Sequence, residues 1–460
     1  MGNSLIKIAT DFKSDPVNLD YTLYLGAIEM AKGKYKDLLT WLDNEIKARR
    51  DKRFTIIRMD KTWYTTMLGP VRIKRRYYRA PDGSCHYLLD ELVGMGKHRH
   101  TSRHVQKMVL ETVVQLPFRR STQTLASLTP VDLSHQTIYR IAGEKIDEFL
   151  KTHNKAVRHL EATGELDWGE GRKTCQLLIE ADGVMIPLQG EESRKAEAKL
   201  GISYEGHQKV GRDRYKTMGK VMYADITSGS AFWTAMTLKL NGKYDLSETD
   251  TILGGDGAGW IRQGADCFDA SYQLCRFHLN RSIAGTLGYD RDLLKKVKEA
   301  LRQGDITLAR GLLEEEACTA TGDRRKDLTR LAGYIRANAS GITPYTASIG
   351  TSRGTGAIEG NIDKVIVRRM KNQGMSWSIK GARRMLCLRV LWYEGRIGES
   401  LAYNPPPRPY RLPEKRVRNI IDKKINTDYG KYFSAGVPAL MGPHSQRPWA
   451  KVLKSVTGGL

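Results

Sequence analysis

A short apolar run that ends in glycines constrains the fold of this chain more than any other stretch. Residues 251–260 read Thr-Ile-Leu-Gly-Gly-Asp-Gly-Ala-Gly-Trp. This pattern predicts a buried strand whose end offers one carboxylate, Asp256, beside glycines that let a large ligand approach the backbone. A second apolar run, residues 177–179, leads to another acid, Asp182, followed by glycine. We therefore expect two strands that each carry an acid at the end of an apolar run.

The charge of the chain indicates a polyanionic partner. Its 460 residues include 75 Lys and Arg against 51 Asp and Glu, which gives a net charge of +24 and a pI near 9.7. An excess of this size favours nucleic acid, because cations that neutralise phosphates release condensed counterions. The sequence shows neither a signal-peptide layout nor an apolar run long enough for a membrane span, so we expect a cytoplasmic, nucleoid-associated protein. Six cysteines without paired spacing argue against a disulfide framework.

The N-terminal third of the chain has the features of a DNA-binding region. Residues 1–52 are predicted to be helical, and residues 53–99 to form a small basic β element with strands at 54–59, 62–67, 71–78 and 87–90. The polar positions of the third strand are all cationic and would face phosphates: Arg72, Lys74, Arg75 and Arg76. A merely solvated basic face explains this strand equally well.

Residues 100–165 are predicted to be all helical, and they include a pattern that resembles a helix-turn-helix. Pro130 breaks the pattern, and Ser134 is a good N-cap for a second short helix at 134–143. If this helix reads DNA, four residues near its start would face the groove: His135, Gln136, Thr137 and Arg140. A plain helical hairpin remains an equal alternative.

The remainder of the chain predicts an α/β fold with a mixed sheet covered by helices. Strands at 175–181, 199–204, 221–225, 251–255 and 271–277 first form a meander and then alternate with helices. We predict four segments in this part of the chain: a catalytic core with its first part at 172–285, a helical insertion at 286–345, the second part of the core at 346–400, and a basic, Pro-rich tail at 401–460.

Three acids in this core suit a metal site for phosphoryl transfer. Hard cations such as Mg²⁺ or Mn²⁺ prefer carboxylate oxygens, and two ions can clamp the attacking and leaving oxygens of a displacement. Asp182 would bridge both ions, Asp256 would hold one, and Glu359, on a predicted helix from 357 to 373, would hold the other. Asp225, Asp266 and Asp363 are alternative ligands. A cluster of cations after Glu359 suits a phosphate backbone: Lys364, Arg368, Arg369 and Lys371.

Cys275 and His278 have the spacing of half a zinc site. Because the sequence shows no obvious second half, metal-free packing beside the active strand is the favoured interpretation. In that position the two residues would orient the metal site or contact the substrate.

Several motifs in a fixed order resemble bacterial insertion-sequence transposases of the ISLre2 type. They begin with Glu180-Ala-Asp-Gly-Val-Met-Ile-Pro-Leu, continue through Gly255-Asp-Gly-Ala-Gly-Trp-Ile and Phe277-His-Leu, and end with Glu359-Gly-Asn and Trp377-Ser-Ile-Lys-Gly. More distantly, the chain is similar to Mutator-like transposases. The resemblance implies an RNase H-like catalytic domain with a helical insertion and a DDE triad of Asp182, Asp256 and Glu359. It also implies a Cys-x-x-His pair at Cys275 and His278.

The sequence thus predicts a DNA transposase that cleaves element ends and joins the 3′-OH to target DNA by two-metal-ion catalysis. Its partners would be terminal inverted repeats, target DNA and at least one further copy of the chain, because two DNA ends must be joined. Two rival functions remain open. One is a DNA-binding regulator without catalysis, and the other is a structure-specific nuclease on the same fold without strand transfer.

Overall fold

The computed structural model of the protein describes residues 18–95, 100–164, 171–190, 194–212, 214–246, 249–342, 356–401 and 409–410. These residues form two compact units. The first draws on the ranges Met1–Tyr64, Pro70–His100 and Asn404–Leu460, and the second on Thr65–Gly69 and Thr101–Tyr403. In the described part of the chain, no helix has both the length and the apolar character needed to cross a membrane.

The first unit packs one long helix with a three-stranded sheet. The helix is α1 (Leu19–Arg49), and the strands, in spatial order, are β1 (Thr55–Thr66), β2 (Gly69–Arg79) and β3 (Cys85–His86). A short helix, α2 (Leu88–Val93), follows. The apolar core of the first unit includes Leu39, Ile46, Ile73, Tyr78 and Leu89.

Two predicted strand boundaries in this unit are wrong. The two strands expected at 54–59 and 62–67 are the single 12-residue strand β1. Asp60 lies within this strand and pairs with Arg58 two residues earlier at 2.9 Å. The strand expected at 87–90 is instead the start of α2, where Leu88, Leu89 and Asp90 are all buried. A strand with one buried face cannot bury three consecutive side chains, whereas a helical turn can.

The second unit opens with three helices: α3 (Arg103–Val113), α4 (Phe118–Leu128) and α5 (His135–Thr163). The Ser134 side chain caps α5 by accepting a hydrogen bond from the Thr137 amide at 3.2 Å, as its position in the sequence predicts. However, α5 is 29 residues long, so the prediction of a short helix at 134–143 is wrong. The chain between 143 and 151 holds no proline, so nothing in the sequence ends the helix there.

A five-stranded mixed sheet forms the centre of the second unit, which confirms the predicted α/β class with a mixed sheet. Its spatial order is β10-β9-β4-β5-β8. β4 pairs antiparallel with β5 and parallel with β9, β5 pairs antiparallel with β8, and β9 pairs parallel with β10. The strands are β4 (Gln176–Pro187), β5 (Lys195–Tyr204), β8 (Val221–Asp225), β9 (Asp250–Gly255) and β10 (Ser271–Leu274). A separate hairpin of β6 (Gly206–Lys209) and β7 (Tyr215–Met218) lies between β5 and β8 in the chain.

Alternation along β4 sends its side chains to two different apolar layers. Leu177 and Ile179 pack with helices α6 (Gly229–Asn241) and α7 (Gly259–Phe268). Leu178 and Ile186, on the opposite face, pack in the larger core with α3, α5 and the C-terminal helices. Asp182 shares the parity of Leu178 and Ile186, so its side chain projects toward the C-terminal helices.

The predicted helical insertion contains helices packed on each other around a core of their own. Helix α8 (Arg276–Leu287) leads from the sheet into α9 (Arg291–Gln303), α10 (Ile306–Thr319) and α11 (Gly322–Ala337). Their core includes Leu279, Val297, Leu313, Leu328 and Ile335.

The chain then returns to the sheet through the helix that carries Glu359. Helix α12 (Ala357–Ile362) continues as a π-helical segment, Asp363–Lys371, and a last helix, α13 (Ile379–Tyr393), follows. The sequence predicts one α-helix from 357 to 373 here. The observed change to π-helical geometry is a feature that often accompanies functional sites. The predicted tail at 401–460 lies outside the described residues, except for residues 401, 409 and 410.

Candidate active site

The register of the sheet places the two aspartates side by side. β4 and β9 pair in parallel with a constant offset of 74 residues, from Gln176 with Asp250 to Glu180 with Gly254. The same offset relates Asp182 to Asp256, which directly follows the last residue of β9. Neighbouring strands lie about 4.8 Å apart. Asp256 therefore lies just past the carboxyl end of β9, the kind of edge at which open α/β sheets bind ligands. Asp182 lies beside it within β4, which continues to Pro187.

The third strand at this edge brings in Cys275 and His278. Cys275 follows β10, and its amide donates a hydrogen bond to the Gly255 carbonyl at 2.7 Å. It is the N-cap residue of α8, so His278 lies on the first turn of that helix. Cys275 is buried, and the His278 side chain is 23% exposed. The predicted Cys-x-x-His pair thus lies beside Asp256, one strand further from Asp182.

Glu359 reaches the same place because a buried acid on β4 holds its helix. The Glu180 side chain is 1% exposed. Its carboxylate accepts hydrogen bonds from the amides of Gly356 at 2.9 Å, Ala357 at 3.1 Å and Ile358 at 3.1 Å. These are the free amides at the start of α12, which favour a negative charge. Glu180 lies two residues before Asp182, on the same face of β4.

Glu180 is a functional residue that the sequence interpretation missed. Its carboxylate also accepts a hydrogen bond from the Tyr204 hydroxyl on β5. A signal was present, because Glu180 interrupts an apolar run at the same strand parity as Asp182. An acid inside a strand needs buried donors, and three of the four donors are backbone amides more than 170 positions away.

The loop that carries Asp256 is held in several ways. Its carboxylate Oδ1 accepts a hydrogen bond from the Ala258 amide at 2.9 Å, and its backbone carbonyl accepts one from the Tyr334 hydroxyl at 2.8 Å. Gly257 has φ +96°, and a Cβ atom there would lie 2.4 Å from the Asn338 side chain. A left-handed conformation and a close neighbour together require glycine at this position. The last helix of the insertion therefore helps to fix the Asp256 loop.

The three carboxylates and His278 influence one another electrostatically. Burial raises the pKa of Asp182 to about 6, and the charges of Glu359 and Asp256 add to this increase, while the Gly183 amide and His278 oppose it. Interaction with Cys275 raises the pKa of His278 to about 9, and the charges of Glu359 and Asp182 contribute in the same direction. A carboxyl group that is buried among other acids is stabilised in its charged form by a cation.

The donor set fits hard divalent cations at the aspartates and a softer ion beside them. Asp182, Asp256 and Glu359 supply carboxylate oxygens, as Mg²⁺ or Mn²⁺ requires. The Glu359 Oε1 atom is shielded from solvent and makes no hydrogen bond. Within the described residues, however, the one trio whose ligand atoms all lie within 4.8 Å of one another is Cys275, His278 and Glu359. Glu359 therefore lies closer to the Cys-x-x-His pair than the sequence predicts.

Comparison with known proteins assigns the chain to a protein family. The model of UPF0236, an uncharacterised protein family, matches residues 27–401. The chain belongs to this family. One UPF0236 protein of Caldanaerobacter subterraneus subsp. tengcongensis is 25% identical over 419 residues, which cover 86% of this chain and 84% of the relative. Another from the same organism, whose name joins eleven locus designations, is 26% identical over 400 residues, 84% of this chain and 80% of the relative. A UPF0236 protein from the vanSb 3′ region of Streptococcus gallolyticus is 26% identical over 350 residues, 74% of each chain.

In this member of UPF0236, two of the four cations predicted on β2 are engaged inside the first unit. Arg75 is buried and pairs with Asp90, and Arg76 pairs with Asp43. The prediction that all four cations face phosphates is therefore wrong for Arg75, because the alternation of side chains along the strand places Arg75 on the buried face. Arg72 and Lys74 are exposed, as predicted.

The cations after Glu359 also divide into two kinds. Arg369 is 2% exposed and donates to the carbonyls of Val113 and Leu116, at the end of α3, so its predicted DNA contact is wrong. A guanidinium that binds free carbonyls at a helix end stabilises the packing there. The remaining three are exposed: Lys364, Arg368 and Lys371.

The predicted groove-facing residues of α5 are on the surface. His135, Gln136 and Arg140 are exposed and Thr137 is half-buried. Arg140 forms an i,i+4 ion pair with Glu144 at 3.1 Å. Their role in DNA recognition stays a prediction.

The alternative acids are committed to other contacts or stand apart. Asp225 is buried and forms a bidentate ion pair with Arg383, with both distances 2.7 Å. Asp363 pairs with Arg368 at 2.7 Å on the exposed side of the π-helical segment. Asp266 is an exposed residue of α7.

Proposed function

We propose that this protein is a DNA transposase that uses Asp182, Asp256 and Glu359 as the metal-binding acids of an RNase H-like core. One observation carries the proposal: two aspartates lie side by side on adjacent parallel strands, and a glutamate helix is fastened to the first strand by Glu180. The strand order supports an RNase H-like assignment, since an antiparallel meander of β4, β5 and β8 is extended by parallel β9 and β10 on the other side of β4.

Exposed cations near the site support a DNA substrate. Lys364, Arg368 and Lys371 follow Glu359 on the same helical segment. The β6–β7 hairpin presents four further exposed cations: Lys209, Arg212, Arg214 and Lys216. Together with the net charge of +24, these residues would neutralise phosphates along a bound duplex. A cytoplasmic, nucleoid-associated location agrees with such a substrate.

The family context supports a mobile genetic element. A related protein whose name joins eleven loci of one genome is typical of a gene that copies itself. Single-copy regulators and housekeeping nucleases do not show such multiplicity. A transposase explains both the repeated gene and the carboxylate site.

In the proposed reaction, two Mg²⁺ or Mn²⁺ ions, when bound, would activate water and stabilise charge on the phosphate. Water attacks a phosphodiester at the element end and the 3′ oxygen leaves. The resulting 3′-OH then attacks a target phosphodiester and displaces its 3′ oxygen. Asp182, Asp256 and Glu359 would hold these ions, and Glu180 keeps the Glu359 helix against the sheet. Because two ends are joined, the active form would be a dimer or larger.

The test uses full-length protein, Mg²⁺, DNA bearing the sequences that flank the gene, and a supercoiled target plasmid. We expect joined products from the wild type, and a loss of at least about 10³-fold for Asp182→Asn and Asp256→Asn, since each removes a ligand that acts in the transition state. Asp327→Asn, which removes an exposed acid paired with Arg330 on α11, is the matched control.

Other results would point to the rival functions. Nicked or cut DNA without joined products would support a nuclease. DNA binding without cleavage, unchanged by Asp182→Asn, would support a regulator and refute the catalytic proposal. Intact, unbound DNA would refute all three.

A further inference from the structure

A soft-ligand cluster lies beside the proposed Mg²⁺ acids. The ligand atoms of Cys275, His278 and Glu359 all lie within 4.8 Å of one another. His278 Nδ1 and Glu359 Oε1 are 3.3 Å apart. Both atoms are shielded from solvent, and apart from this ion-pair contact with each other neither has a hydrogen-bond partner. Shielded polar atoms without a hydrogen bond are rare in folded proteins and require an explanation, of which an ion is one.

The geometry is close to that of a transition-metal site. At Zn–S, Zn–N and Zn–O distances of about 2.3, 2.0 and 2.1 Å, a tetrahedral ion separates its ligand atoms by about 3.3–3.6 Å. His278 Nδ1 and Glu359 Oε1 already have this separation, and the ligand atoms of the cluster are all within 4.8 Å of one another. Cys275 and His278 already share the first turn of α8, and the Cys275 amide is fixed to Gly255. Glu359 is the ligand that would move least easily, because Glu180 holds the start of α12.

The chemistry of the donors selects the ion. A thiolate and an imidazole are poor ligands for Mg²⁺ or Ca²⁺, and they favour Zn²⁺ and similar borderline cations. We propose that Cys275, His278 and Glu359 bind one divalent ion of the zinc class. Three protein ligands leave a fourth position open to water, the pattern of zinc sites that are not purely structural. The sequence shows only the Cys-x-x-His half of this site, and the fold supplies the third ligand from a residue 81 positions after His278.

The site has a consequence for the proposed reaction. Glu359 belongs to both donor sets, so an ion held by Cys275 and His278 withdraws this carboxylate from the aspartate pair. Zn²⁺ is then expected to inhibit Mg²⁺-dependent DNA joining, and Cys275→Ser is expected to relieve that inhibition. This consequence alone rests on the proposed function.

The test of the site itself needs no DNA. Full-length protein, stripped of metal with a chelator and kept reduced, is titrated with Co²⁺ and followed by absorption spectroscopy. We expect one Co²⁺ per chain, a thiolate-to-cobalt charge-transfer band, and displacement of Co²⁺ by Zn²⁺. Cys275→Ser should abolish the band, and His278→Asn and Glu359→Gln should each weaken Co²⁺ binding at least about 10-fold. Cys267→Ser, which alters an exposed thiol on α7, should leave the charge-transfer band and the affinity for Co²⁺ unchanged.

The outcomes separate this site from the proposed transposase. Asp182→Asn and Asp256→Asn should retain the charge-transfer band even though they lack the Mg²⁺ acids. A wild-type protein without the band, or a band that survives Cys275→Ser, would overturn the zinc-class site. The wild-type spectrum alone can overturn the zinc-class site, because it needs no substitution. The test therefore holds even if one of the variants fails to fold.

Discussion

Removing the Glu180 carboxylate should detach the start of α12 from the sheet. Three backbone amides at 2.9–3.1 Å and the Tyr204 hydroxyl lose their shared acceptor. Hydrogen bonds to a charged group contribute about 1.5–3 kcal/mol each, but bonds that share one acceptor do not add. Leaving buried donors without an acceptor costs about 1–3 kcal/mol for each group, so losing this shared acceptor should lower the free energy of unfolding by about 3–5 kcal/mol in total. We expect Glu180→Ala to fall in that range.

Glu180→Gln should give a smaller loss, about 2 kcal/mol, since the amide keeps one acceptor oxygen and turns donors toward the remaining N–H groups. Denaturant unfolding measures both losses, and Glu299→Gln, in an exposed pair with Arg302, is the matched control. Hydrogen exchange of the amides at 356–358 reports the local effect. A loss below about 1 kcal/mol for Glu180→Ala, with unchanged exchange at these amides, would refute the proposed role of Glu180.

Two further predictions concern buried charges in the second unit. In metal-free protein, Asp182 has a pKa of about 6 against an ordinary value of 3.8, so the folded chain binds the extra proton between these values and loses stability as the pH rises through that window. Asp182→Asn should therefore increase the free energy of unfolding at pH 7 by about 1–3 kcal/mol in the presence of a chelator and flatten its pH dependence between about pH 4 and 6. A less stable variant would contradict this. Arg369→Met, which removes the guanidinium that donates to the carbonyls of Val113 and Leu116, should lower the unfolding midpoint in denaturant by an amount equivalent to about 2–4 kcal/mol; an unchanged midpoint would show that the buried guanidinium adds no stability.

The aspartate pair could be predicted from sequence because it depends on short-range signals. An apolar run followed by an acid and glycine marks the end of β9 at Asp256, whereas β4 continues past Asp182 to Pro187, and parallel pairing of the two strands brings the acids side by side. The same local signals predicted the mixed sheet and the helices of the insertion. The prediction of Glu359 rests on the cations that follow it and on a family resemblance, because nothing near it in sequence indicates that its helix returns to β4.

The residues that the sequence predicted wrongly or missed share a different physical cause. Whether a cation faces solvent depends on partners that are distant in sequence. Arg75 and Arg76 pair with Asp90 and Asp43 inside the first unit. Arg369 is buried where it donates hydrogen bonds to backbone carbonyls at the end of α3. Composition treats all three as surface charge. Glu180 was overlooked for the same reason, since three of its four partners lie more than 170 residues further along the chain.

The core of the insertion also has a consequence for how the site is assembled. Leu274 and Leu279 at its beginning and Ile342 at its end belong to the same apolar cluster as the helices between them. Such a cluster is expected to open as its own foldon, at a lower free energy than the sheet. Opening it would release Tyr334 from the Asp256 carbonyl while the register of β4 and β9 persists. A segment that unfolds locally would thus alter the surroundings of the Asp256 loop and leave the two aspartates in place.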